Sequence, residues 1–261
     1  MARYQLRLAY DGTDYFGFQR QGNTRTVQSV FEAVLRELGW QEGSILFAGR
    51  TDTGVHASGQ VVVFALDWQH TDEALVKALN AKLPSDAAVD CLARVEAEFH
   101  PRYDASSRCY IYNIYQQPER DPIRDRFAWR IWPMLEIERL NQAASLLIGK
   151  HDFSAFGRAM KPGASTIREV MLSQWTLQNG QLQYEIEANA FLYHMVRRIV
   201  FLQVQFAKNK LTAEELSNGV LMSQTMKSGL APAKGLNLLE VKYLQHQQEE
   251  IGKCEILDSI A

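Results

Sequence analysis

The chain has 261 residues, 46% of them apolar and 22% charged, and its 28 Lys and Arg against 30 Asp and Glu leave a net charge of −2. That length suits one large domain or two small ones with a real core, and the composition is that of an ordinary soluble globular protein. No overall basic field announces a nucleic-acid partner. Cys91, Cys109 and Cys254 are odd in number and widely spaced, fitting neither a disulfide framework nor a metal site.

In chain order, Tyr4, Leu6, Leu8 and Tyr10 alternate with polar or small residues and predict a half-buried first strand, ended by the turn residues Asp11-Gly12-Thr13-Asp14. Thr26 is placed to cap a helix with the stripe Val27, Val30, Phe31, Val34, Leu35 and Leu38, stopped by Gly39. Ser44 to Ala48 and Gln60 to Leu66 read as strands on either side of a glycine-bounded turn. Thr71 caps a second helix through Leu75, Leu79 and Leu83, with Pro84 beyond its end, and Val89 to Val95 reads as a strand.

Ser107 to Tyr115 alternates so that Tyr110, Tyr112 and Ile114 share one face. Pro118 to Pro133 is a loop-rich connector with a short strand near Phe127 to Ile131, followed by a helix from Ile137 to Ile148 closed by Gly149. Strands at Glu169 to Leu177 and Leu182 to Ala188 flank the hairpin signal Asn179-Gly180. One long helix is expected from Asn189 to about Lys208, then a short helix capped by Thr212, and a last strand from Leu236 to Leu244. Each half carries strands with two helices, which predicts two α+β halves, 1–105 and 106–244, with helices on one face of a mostly antiparallel sheet. Residues 245–261 are acidic and aperiodic and read as a mobile tail.

The apolar stretch from Ala190 to Ala207 is interrupted by His194, Arg197, Arg198, Gln203 and Gln205, which excludes a membrane span. The start, Met1 to Leu6, lacks the apolar core of a secretory signal. A cytoplasmic protein with reduced thiols is the expectation.

Three constellations are candidates for chemistry. The first is Gly49-Arg50-Thr51-Asp52-Thr53-Gly54-Val55-His56, which sets a carboxylate on a loop between two strands. One reading is a turn in which the Asp side chain binds its own backbone. The other is a carboxylate held ionised by Arg50 and acting as nucleophile or base. No Asp-x-Asp pair or His/Cys cluster stands beside it, which disfavours metal-assisted chemistry.

The second is Tyr110, either core packing or a ring that stacks on a nucleobase. The third is Phe191 to Arg198, where Leu192, Met195, Val196 and Ile199 make a core face. Arg197 there requires a buried partner, a carboxylate being predicted. His194 reads as a hydrogen-bonded core histidine, and His56 and His100 as structural. Arginines recur where loops are expected, among them Arg20, Arg25, Arg50, Arg102 and Arg108, which admits RNA binding beside the plain reading of a solvated surface.

Gly49 to Ala57 resembles the catalytic signature of the tRNA pseudouridine synthase A family. Further stretches match that family in order: Tyr10-Asp11-Gly12-Thr13 with Gly17 to Gln21; Phe99-His100 through Tyr110; His151 to Phe156; Phe191 to Arg197; and Ala231 to Leu236. The resemblance spans roughly residues 3 to 244.

It implies the pseudouridine synthase fold, two ferredoxin-like or RRM-like halves forming a mixed, mostly antiparallel sheet with the active-site cleft between them. It also implies conversion of uridines 38, 39 and 40 of the tRNA anticodon stem-loop to pseudouridine by a homodimer in which each tRNA touches both subunits, with no metal or organic cofactor. By the same resemblance Asp52 is the catalytic residue, and Tyr110 stacks on the flipped base. Arg197 pairs with Asp52, Arg50 faces the RNA and Leu236 supplies an apolar wall. Three positions depart from the pattern: Thr53 for the usual alanine, Arg198 where asparagine is common, and Phe201 where glycine is frequent.

Overall fold

The computed structural model describes residues 1–178 and 180–244. Asn179 of the expected hairpin turn and the expected tail at 245–261 lie outside the described residues. The described chain divides into two compact units. Residues 1–106 with 240–244 form the first, and residues 107–239 the second.

In the first unit, β1 (Ala2–Tyr10) runs antiparallel to β3 (His56–Leu66) on one side and to β4 (Ala87–Arg94) on the other. The two-residue strand β2 (Leu46–Phe47) pairs with β3, so the order is β4-β1-β3-β2. With α1 (Val27–Glu37) after β1 and α2 (Asp72–Lys82) after β3, this is the split βαβ arrangement expected of a ferredoxin-like half. Tyr4, Leu6, Leu8, Phe31, Leu35, Phe64, Leu75 and Leu79 form its core, each full burial being worth roughly 1.5–3 kcal/mol.

Both helix starts were legible in the sequence. Thr26 and Ser29 close a reciprocal capping box on α1, and the Thr71 hydroxyl accepts from the Ala74 N–H. Each cap satisfies donors that a helix end leaves open, worth about 1 kcal/mol. The strand expected from Ser44 to Ala48 shrinks to β2: the Ile45 N–H donates to the Glu32 carboxylate rather than to a strand, while the Ala48 N–H still donates to Val61 O of β3. Cys109 is a buried free thiol, and Cys254 lies outside the described residues.

The second unit takes up β5 (Ala105–Gln116) from its third residue. It is built on the antiparallel path β5-β9-β8-β7, with β6 (Trp129–Ile131) parallel to β5. Strands β8 (Ile167–Gln178) and β9 (Gln181–Ala188) form the expected hairpin, closing on Gln178 opposite Gln181. Helix α3 (Ile137–Ser145) ends earlier than expected. Gly149 does not stop it but opens a further strand, β7 (Gly149–Asp152), whose four residues are too few to show alternation. α5 (Ala213–Leu221) has the Thr212–Glu215 capping box, and β10 (Leu236–Tyr243) carries the chain from the second unit back to the first. Among the described residues no helix is long and apolar enough to cross a membrane.

The largest departure concerns the long helix. α4 runs over Met195–Ala207, so residues 189–194 are not helical. Tyr193 and Arg158 hold each other in an isolated antiparallel bridge, with N–H to O distances of 3.0 and 3.4 Å, and His194 turns the chain at φ 66°. The run Ala190 to Leu192 fits an apolar helical stripe, and periodicity alone does not separate that from an extended buried segment. Arg197 therefore does not lie one helical turn above Tyr193.

Candidate active site

Asp52 lies on the loop between β2 and β3, and nearly every backbone step of that loop is tied down. The Ala48 N–H donates to Val61 O (2.9 Å), the Gln60 side chain donates to Gly49 O (2.8 Å), the Phe18 N–H to Thr51 O (3.1 Å), and the Gly54 N–H to Tyr15 O (3.3 Å). The Val55 N–H closes the turn onto Asp52 O at 3.1 Å, and Gly54 takes φ 76°. Tyr10 and Thr51 share a buried hydroxyl–hydroxyl hydrogen bond of 2.8 Å directly beside Asp52.

Segment 12–18 presses against the loop from behind. Gly17 has φ +82°, and a Cβ there would stand 2.9 Å from Thr51 O and 3.3 Å from the Asp52 carbonyl carbon, so only glycine fits. A Cβ on Gly12 would run into the Val55 carbonyl. Beneath lie the rings of Tyr10, Tyr15, Phe18 and Phe47, with the Phe18–Phe47 centroids 4.6 Å apart. Asp52 is thereby left half-buried on a rigid base, with Arg50 and Thr53 exposed on either side of it. His56 is buried and its Nδ1 accepts from the Gly12 N–H (3.0 Å), while His100 Nδ1 accepts from the Arg102 N–H. Both hold backbone, as expected.

Segment 17–20 is itself anchored. Gly17 O and Phe18 O accept from the first N–H groups of α1, at 3.2 and 2.9 Å. Arg20 reaches Glu32 at 2.6 Å, and this fully buried carboxylate also accepts from Gln28 and from the Ile45 N–H. A buried charge so completely paired is tolerated where a lone one would not be. Arg25 pairs with Asp86 at 2.8 Å and lies 4.1 Å over the Tyr15 ring, whose hydroxyl also binds Asp86. Burial, with that bond second, pushes the Tyr15 hydroxyl well up in pKa.

The remaining expected site residues belong to the second unit. Tyr110, on β5 opposite Ile186, is 8% exposed and meets Phe191 edge-on, centroids 5.1 Å apart at 87°. Arg197 is half-buried near the start of α4. Its Nε donates to Ala231 O at 2.9 Å while the Ala231 N–H donates to Arg197 O at 3.1 Å, so helix and segment grip each other twice. Leu236, 6% exposed, opens β10 after a 3₁₀ turn at Ala233–Gly235. The buried Tyr112 hydroxyl, pushed up in pKa by desolvation, donates to Pro232 O at 2.8 Å and holds that turn. Lys234 binds Asp125 at 2.6 Å and keeps its carboxyl below the usual range.

Two of the unusual positions now have a structural account. Arg198 donates from Nε to Ala155 O (3.0 Å), from Nη1 to Gly229 O (3.2 Å) and from Nη2 to Met226 O (3.0 Å), and burial lowers its pKa. The Phe201 ring occupies the space that a Cβ on Gly229 would need. Together they clamp residues 226–229 onto α4, just ahead of the Ala231 contact with Arg197. Thr53 is exposed, and nothing in the structure explains its choice.

The Tyr10–Thr51 bond and the three-carbonyl grip of Arg198 were not foreseen. A tyrosine in an alternating strand and an arginine on a helix carry no local sign of a partner tens of residues away. Among the described residues, no cluster of three or more His, Cys, Asp or Glu side chains is able to hold a metal ion.

Comparison with known proteins adds an independent line. A family model described as tRNA pseudouridine synthase matches residues 8–104 and 143–244. The chain is 36% identical over 242 residues to a protein named tRNA pseudouridine synthase A from Colwellia psychrerythraea, covering 92% of this chain and 93% of that one. It is 38% identical over 246 residues to one of the same name from Thermoanaerobacter pseudethanolicus, covering 93% and 100%. A third, from Syntrophotalea carbinolica, is 36% identical over 244 residues, covering 93% and 97%.

Proposed function

Since the chain belongs to the tRNA pseudouridine synthase family, we propose that it converts uridines 38, 39 and 40 of the tRNA anticodon stem-loop to pseudouridine, with Asp52 as its catalytic carboxylate. At the level of the family, it is an isomerase that acts on tRNA. The isomerisation breaks the bond from ribose C1′ to uracil N1, turns the base and rejoins it through C5. Nothing is added or removed, so the requirement is one positioned carboxylate and a pocket that retains the detached base.

The observation that carries this reading is the bracing of the Asp52 loop. Its backbone is hydrogen-bonded from both flanks and packed from behind by Gly12 and Gly17, while the side chain stays half-buried. A turn whose only task was to reverse the chain needs no such support, whereas a group that must meet one atom of a substrate does.

A uridine within a stem must first leave its stack, at a cost of a few kcal/mol recovered in the pocket. Tyr110 is assigned to stack on the flipped base, its ring held edge-on by Phe191. Arg197 is assigned as the cation for the Asp52 carboxylate and Leu236 as an apolar wall. Arg50, exposed two residues before Asp52, is assigned to the RNA. The working form is a cytoplasmic homodimer in which each tRNA touches both subunits, without metal or organic cofactor.

Asp52→Asn is expected to abolish tritium release from C5-labelled uridine in tRNA while tRNA binding persists; unchanged release would refute the assignment. Mapping pseudouridines in a strain lacking the gene tests the target positions, and losses outside the anticodon arm would overturn uridines 38 to 40. Sedimentation of the free protein tests the dimer.

A further inference from the structure

In the first unit, one large apolar side chain stands in water against the Asp52 loop. Phe16 is 54% exposed, and among the described residues no other ring or guanidinium packs on it. Its neighbours on both sides are buried and touch the loop. Tyr15 O accepts from the Gly54 N–H at 3.3 Å, and Gly17 lies so close that a Cβ there would stand 2.9 Å from Thr51 O and 3.3 Å from the Asp52 carbonyl carbon. The Phe16 Cα is therefore within about 9 Å of that carbonyl carbon, one side chain's reach from a nucleotide next to one held at Asp52.

The position is also fixed. The Phe16 N–H donates to Arg25 O at 2.9 Å, and Phe16 O accepts from Gln21 Nε2 at 2.6 Å. Arg25 is tied in turn to Asp86 at 2.8 Å. A lone exposed aromatic is ordinary on a protein surface. Phe16 differs in being bonded at both backbone groups and seated between two residues that brace the loop. A ring held still in water offers a flat apolar face to whatever reaches the carboxylate. With the exposed guanidinium of Arg50 in the same loop, that face matches what an RNA strand presents, flat bases on a charged backbone.

We propose that Phe16 stacks on the base of a nucleotide adjoining the target uridine, and so holds the strand in place while the target lies at Asp52. The proposal rests on the reading of the chain as a tRNA-modifying enzyme, and it adds a contact in the first unit that none of the assigned roles includes. Stacking is indifferent to base identity, because every base has a π-face. Such a contact suits an enzyme assigned three successive uridines, whose neighbours differ from one target to the next.

The test measures binding by the full chain to a tRNA transcript with a single target uridine. The transcript is used intact, and with an abasic residue on the 5′ side or on the 3′ side of the target. Phe16→Leu keeps apolar bulk and removes the ring. It is expected to weaken binding of the intact transcript about tenfold, at a nearly unchanged melting temperature. Phe16→Tyr keeps a ring and is expected to bind like the wild type. On one of the two abasic transcripts the wild type and Phe16→Leu are expected to bind alike, since the base that the ring covers is gone.

Wild-type binding by Phe16→Leu, an equal loss in Phe16→Tyr, or an undiminished leucine effect on both abasic transcripts overturns the stacking contact and leaves the reading of function standing. A wild-type chain that neither binds nor modifies the intact transcript overturns that reading, and the contact falls with it.

Discussion

The loop of Asp52 and the segment that grips Arg197 solve one problem, holding a candidate side chain still, by opposite means. In the first unit the work is done by backbone and by absent side chains: Gly12 and Gly17 admit close approach, and the carbonyls of Tyr15 and Thr51 are satisfied by backbone N–H groups. In the second unit it is done by long cationic side chains reaching across space. Arg198 holds three carbonyls and Arg197 one, with Phe201 filling the hollow at Gly229. A backbone-held loop is intolerant of any added atom. A side-chain clamp is intolerant of losing a donor, because each carbonyl left behind is then unsatisfied.

That contrast is open to direct attack. The largest effect is expected from Gly17→Ala. The positive φ and the 2.9 Å approach to Thr51 O together cost about 3–4 kcal/mol, to be read by urea denaturation, and turnover should fall with stability. Full stability in Gly17→Ala would break the picture of a loop that admits no atom behind it. Arg198→Met is expected to cost about 2 kcal/mol, since it removes a charged donor from three carbonyls at once, while Arg198→Lys recovers only part of it. Equal stability in the lysine variant would show that charge, not the forked geometry, makes the clamp.

Smaller, but closer to the chemistry, is Tyr10→Phe. It leaves the Thr51 hydroxyl buried without its partner, at about 1 kcal/mol, and the double variant Tyr10→Phe with Thr51→Val should regain much of that stability. Turnover should not be regained with it, if the bond sets the position of Asp52. The smallest effect is the acid response of the Lys234–Asp125 pair. Its carboxyl is held below the ordinary value, so its contribution is present above about pH 4 and is lost as pH falls through the lower folded-state value. Asp125→Asn lacks that contribution, and its melting temperature should fall less than that of the wild type between pH 5 and pH 3.

Much of the fold was legible because it rests on local rules. Thr26, Thr71 and Thr212 all cap the helices expected of them, and β9 shows the alternation of a half-buried strand, whereas β5 is buried on both faces over Ser107 to Tyr110. Failures occurred where a distant partner decided a local state. Residues 189–194 carry a helical stripe, but Tyr193 pairs with Arg158, and His194, which is no helix breaker by type, adopts the left-handed conformation of one. Gly149 looked like a helix stop and is the first residue of a strand, because β8 supplies its neighbour.

The candidate site divides along the same line. The sequence by itself determined the family, the placement of Arg50 and Asp52 on a tight turn, and which residues have the chemistry to act on RNA. Those depend on side-chain type and on spacings of a few residues, which no folding alters. Only the tertiary structure decided what holds that chemistry in place: segment 12–18 behind the loop and the carbonyls around Arg198. Each of these is a close approach between groups far apart in the chain. Its existence depends on sub-ångström differences in distance, which a linear pattern does not encode.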